Sequence, residues 1–112
     1  MSAVVDGVVR DLGKPYADGT PRLEIHVPIG RAEGLPVQTG ERVPVRLHVA
    51  GAEYAAGLRA TPENKYAWVC PDVTGTGGEA TTLGRVLTAA GFGANDPVQL
   101  LTDGQSLTVR PG

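Results

Sequence analysis

Residues 57–73 read GLRATPENKYAWVCPDV, and the parsing of this stretch decides the fold. A strand running from about Glu53 to Leu58 enters it, and Lys65-Tyr66-Ala67-Trp68-Val69-Cys70 continues as a second strand. Between them, Arg59-Ala60-Thr61-Pro62-Glu63-Asn64-Lys65 is polar, charged and rich in hydrogen-bonding groups. A hairpin that only reverses direction needs about two residues, such as Asn-Gly. A longer connection is either a solvated loop held by Thr-Pro-Glu-Asn turn chemistry or a loop with a binding role.

The rest of the chain has the same strand-and-turn rhythm. Just upstream, Arg42-Val43-Pro44-Val45-Arg46-Leu47-His48-Val49 alternates, with its valines and Leu47 on one face and Arg42, Arg46 and His48 on the other. Pro44 cannot donate to a ladder, so its end of the strand belongs at an edge. Arg22-Leu23-Glu24-Ile25-His26-Val27 alternates as strictly, and Val4 to Arg10 reads as a first strand. The segment GRAEGLP allows only a helical turn before Pro36. Downstream, PDVTGTGGEA reads as a flexible Gly/Thr loop. A helix is expected from Thr81 or Thr82, whose hydroxyl can cap it, with Leu83, Val86, Leu87 and Ala90 as its apolar stripe and Gly91 at its end. Val98–Thr102 and Ser106–Arg110 form a final hairpin, with Asp103-Gly104 signalling a type I′ turn.

Six or seven short strands, one or two short helices and no βαβ alternation predict a single mainly-β domain over residues 1–112, a small open β-barrel. At 112 residues such a domain can bury a core without disulfides or a structural metal. One cysteine, Cys70, excludes an intrachain disulfide and reads as a buried structural thiol of a reducing cytoplasm. No apolar run approaches the roughly 20 residues of a membrane span, and the first residues lack a signal-peptide pattern. A cytoplasmic protein without membrane partners is the expectation.

The net charge of −2 gives no general footprint for nucleic acid. Eight of the ten basic residues fall within residues 1–65, however, where eight acids balance them. A nucleic-acid site therefore has to be local, assembled by folding.

Catalytic constellations are thin. The Gly/Thr loop lacks the Gly-Lys-Ser/Thr of a phosphate cradle. His26 and His48 could be neighbours if their strands pair, but two histidines without a third ligand do not make a zinc site. As ordinary half-exposed strand residues they need no further role. Neither serine sits on a nucleophile elbow, Cys70 has no basic sequence neighbour to form a thiolate, and the acids are scattered. No enzyme, metal or cofactor is predicted.

The residue types of the 59–65 connection suit a different task. Arg pairs with guanine O6/N7, Asn with adenine N6/N7, and Glu accepts from cytosine N4, while Thr, Lys and Tyr suit phosphate oxygens. A second loop, Lys14-Pro15-Tyr16-Ala17-Asp18-Gly19-Thr20-Pro21-Arg22, mixes a base, an aromatic, an acid and a hydroxyl in the same way. Two such loops on one edge of a barrel would straddle a groove.

The segments YAAGLRATPENKYAWVCPDV and TTLGRVLTAAGFGANDPVQLLTDGQSLTVRP resemble the DNA-recognition modules of certain restriction endonucleases, which share the DNA-binding pseudobarrel with plant B-three-type transcription-factor domains. The resemblance covers about the last two-thirds of the chain. It implies a wrench of two arms gripping the major groove of double-stranded DNA. The C-arm would be Arg59, Thr61, Glu63, Asn64, Lys65 and Tyr66. The N-arm, matched by location, would be Lys14, Tyr16, Asp18, Thr20 and Arg22. Arg42, Arg46 and His48 would add phosphate contacts. The family's concave surface is usually basic, unlike this chain, and its nuclease domain has no counterpart here. Cleavage would thus fall to a nuclease or other defence partner in trans, in a prokaryotic restriction-modification setting. The alternatives are a non-catalytic protein-interaction module, a swapped-hairpin transcription regulator whose last hairpin would be DPVQLLTDGQSLTVRP, and a ligand-binding barrel using His26, His48 and Tyr54.

Overall fold

Alternation of apolar and polar residues along the strands becomes inside and outside in the folded chain. The computed structural model describes residues 2–61, 63 and 65–112. Its strands are β1 (Ser2–Asp11), β2 (Leu23–Pro28), β3 (Val43–Val49), β4 (Ala52–Ala60), β5 (Tyr66–Val69), β6 (Asp72–Gly75), β7 (Ala80–Thr82), β8 (Pro97–Asp103) and β9 (Ser106–Pro111). The helix α1 spans Leu83–Ala89.

Seven of the strands close a ring in the order β3-β9-β8-β1-β2-β5-β4, sealed by the β3–β4 pairing. The small barrel read from the sequence is the observed architecture, with a closed wall where an open one is expected. All pairs in the ring are antiparallel except β3–β9, which is parallel. β6 and β7 extend from β4 as a short flap. The residues expected as a Gly/Thr loop thus carry a hairpin, because Ala55 and Tyr54 of β4 offer a free edge to Thr74 and Gly75.

Inward-facing residues fill the barrel: Val9, Ile25, Leu47, Val69, Leu100 and Leu107 are fully buried. Leu83 and Leu87 of α1 join the same core, so the amphipathic helix is docked by its apolar stripe. Thr82 caps it, its hydroxyl accepting from the Arg85 N–H at 3.2 Å. Pro44 lies opposite Gly57 but precedes the β9 pairing, which starts at Arg46. Its missing N–H therefore costs no ladder bond, and the Gln105 side chain donates to its carbonyl at 3.2 Å.

One local expectation changes. The last hairpin turns through Gly104-Gln105, flanked by the Asp103–Ser106 pair, and of these two residues only Gly104 has positive φ, at 60°. That is the type II′ pattern, with glycine first, in place of type I′. The same hairpin pairs with β1 on one side and β3 on the other within a single chain, so the barrel closes without strands from a second copy.

Candidate nucleic-acid interface

Outward residues of β1, β2, β5 and β4 line up in register across the barrel wall. Val8 lies opposite His26, His26 opposite Trp68, and Trp68 opposite Arg59. In the neighbouring rows Arg10 faces Glu24 and Tyr66 faces Pro28. Strand alternation alone aims these side chains outward, since their neighbours Val9, Ile25, Val69 and Leu58 are buried.

The aromatic members are organised. His26 stacks on Tyr66 with ring centroids 4.1 Å apart and planes 11° off parallel, and Tyr66 meets Trp68 edge-on at 5.7 Å. The His26 Nε2–H donates to Glu24 Oε1 at 2.8 Å, and both side chains are mostly buried, at 14% and 11% exposure. A carboxylate that removed from water needs such a partner, and the bond in turn fixes the imidazole plane. Glu24, His26, Tyr66 and Trp68 thus make a preorganised patch on the outer wall.

Cations border it. Arg59 sits on β4 beside Trp68, and Lys65 precedes Tyr66, its carbonyl accepting from the Ile29 N–H at 2.9 Å. Arg42, just before β3, lies across Gly57, where a Cβ would collide with its Nε. Any side chain at position 57 would push the guanidinium off the strand. Arg10 is held by Asn95, donating to its Oδ1 at 3.0 Å. The patch therefore carries Arg10 opposite Glu24, Arg42 across Gly57, Arg59 beside Trp68 and Lys65 next to Tyr66, a local positive bias on a chain of net charge −2. Glu63 in the connection is exposed.

Cys70 is buried beside this patch. Burial pushes its thiol up, against a smaller opposing pull from Arg42, so it is not poised as a thiolate nucleophile.

The residues expected as a C-arm divide accordingly. Arg59, Lys65 and Tyr66 join the patch, Thr61 is half-buried at its edge, and Asn64 lies outside the described residues. The expected N-arm is placed elsewhere. β2 begins where Leu23 pairs with Asp11, beside the 12–22 loop, and ends where Pro28 pairs with Tyr66, beside the 61–65 connection. The two loops therefore lie at opposite ends of β2, about 20 Å apart for a six-residue strand. They do not share an edge and cannot straddle one groove as paired prongs.

The 12–22 loop is also occupied with internal contacts. Arg22 lies over the Tyr16 ring at 4.6 Å, and Asp18 accepts from the Thr20 N–H at 2.9 Å and pairs with Arg85 of α1. The bonds from Thr20, more than Arg85, hold the Asp18 carboxyl below its ordinary value. Lys14 is exposed at the same end of the barrel. This loop is a clasp for the helix.

Arg46 and His48 are displaced too. Arg46 lies opposite Ala55 and borders a separate shallow depression with Pro44 and Gln105. His48 sits on the β3–β9 seam, its Nε2 3.0 Å from Ser106 Oγ. β5 and β4 separate its strand from that of His26, so the two histidines are not neighbours. Among the described residues no cluster of three or more His, Cys, Asp or Glu could hold a metal, and no helix is long and apolar enough to cross a membrane.

Reading the sequence alone passed over Trp68, Glu24 and Arg10 and left His26 an ordinary strand residue. Alternation marks all four as outward. Their assembly depends on β2 pairing with β5 across some 40 residues of chain, which no local pattern carries. Compared with protein-family models, curated proteins and solved structures, the chain matches none.

Proposed function

We propose that this domain is a non-catalytic module that binds double-stranded DNA with one face and one arm. The face is the outer wall of β2, β5 and β4, and the arm is the connection from Thr61 to Lys65. The observation that carries the reading is the register that sets Arg59 beside Trp68 and Lys65 next to Tyr66, with Arg42 lying across Gly57 of the same strand β4. Cations spaced over a rigid strand face suit phosphate contacts, and mixed polar groups on the adjoining loop suit base edges. A single arm entering a groove replaces the two-armed wrench. Such a module would serve a nuclease or other defence chain in trans, in a prokaryotic cytoplasm, with no cofactor of its own.

The test is a salt titration of duplex binding with Arg59→Ala and Lys65→Ala. Each lost phosphate contact is expected to flatten the slope of log K against log salt by about 0.9. Unchanged binding of every duplex tested by both variants would remove the assignment.

A further inference from the structure

The patch contains a cleft beside Lys65 whose walls the phosphate contacts alone leave without a role. It has a volume of about 280 Å³ and is lined by Val8, Arg10, His26, Pro28, Lys65 and Tyr66. One face of the His26 ring is covered by Tyr66, which lies on the β5 side of β2. The other face is turned toward β1, where Val8 is its direct cross-strand neighbour. The imidazole cannot swing away, because Glu24 holds its Nε2.

The cleft is therefore an aromatic stack one ring short, with Val8 and Pro28 as apolar walls and a cation toward each end. Arg10 marks the Glu24 end and Lys65 the Pro28 end. The Asn95 side chain fixes the guanidinium of Arg10 rather than neutralising it. Flat ring, apolar edges and negative charge on either side describe a nucleotide within a strand, whose base would extend the Tyr66–His26 stack while its flanking phosphates reach Arg10 and Lys65. We infer that the cleft accepts one unpaired nucleotide, stacking its base on His26. This inference rests on the DNA-binding reading above and assigns it a substrate feature, an unstacked base, that a regular duplex does not present.

The experiment compares three probes: a fully paired short duplex, the same duplex with one bulged 2-aminopurine, and free 2-aminopurine deoxyribonucleotide monophosphate. The bulged duplex is expected to bind roughly tenfold more tightly than the paired one, with quenching of 2-aminopurine fluorescence as the base stacks. His26→Ala should bring the ratio of the two affinities close to one. Because removing His26 leaves Glu24 without its partner, Val8→Phe serves as a second variant: its ring fills the cleft from an outward strand position and should erase the same ratio. Equal affinity of the unaltered protein for paired and bulged duplexes overturns the inference and leaves duplex binding standing. Binding of the free nucleotide, lost in Val8→Phe, without binding of either duplex would keep the cleft and overturn the DNA-binding reading. Binding of none of the three overturns both.

Discussion

Gly84→Ala is expected to destabilise the fold by about 3 kcal/mol, the upper end of what an added methyl costs in a packed site. Gly84 is the second residue of α1 and is buried. A Cβ there would collide with the Pro21 carbonyl oxygen and press on the Leu23 backbone N–H at 3.3 Å. Both obstacles are backbone at the start of β2, so no side chain can rotate aside. In an exposed helix the same change would be favourable by about 1 kcal/mol through propensity. The clash dominates, because relieving it means lifting α1 and withdrawing Leu83 and Leu87 from the core. Thermal unfolding should fall by about 15 °C, read by circular dichroism. A melting temperature within about 2 °C of the unaltered protein would show that the helix does not sit on this loop as described.

Leu47→Ala is expected to cost about 3–4 kcal/mol, the range for emptying a fully buried leucine site. Leu47 lies opposite Tyr54 of β4 and Leu107 of β9, and both leucines have no exposed surface. The site lies on β3, between its parallel partner β9 and β4, whose pairing with β3 closes the ring, and strand backbones on both sides restrict its collapse into the void. Val4→Ala, at a position 55% exposed on the outer wall, should change stability by no more than about 0.5 kcal/mol. Denaturant midpoints with unchanged m-values would measure both. A cost below about 1 kcal/mol for Leu47→Ala would mean that the seam is not closed by core packing.

These two positions mark how far the sequence could be read. Leu47 belongs to the clearest alternating run in the chain, and its burial follows from period two. The helix follows equally from its stripe and its threonine cap. The contact of Gly84 with Pro21, by contrast, joins residues about 60 positions apart, and nothing near either residue announces it. The β6–β7 flap was hidden for a related reason: Asp72-Val73-Thr74-Gly75 has little alternation, and β4 supplies the partner that makes it a strand.

The candidate site divides along the same line. Arg59, Lys65 and Tyr66 stood out by residue type within one connection, which is local information. The opposition of the 12–22 and 61–65 loops follows from β2 running between them, and that required knowing that β2 pairs with both β1 and β5. His26 became part of a site only when Tyr66 and Glu24 were brought against it.

The central claim is that the outer wall of β2, β5 and β4 is the surface that meets DNA. Its most direct test is amide and aromatic chemical-shift mapping of the full chain during titration with a short duplex at low salt. The account expects the largest changes at His26, Arg59, Lys65, Tyr66 and Trp68, with Tyr16, Asp18 and the β8–β9 hairpin unmoved. Changes concentrated on the 12–22 loop or the hairpin, or no change at any duplex concentration, would contradict it.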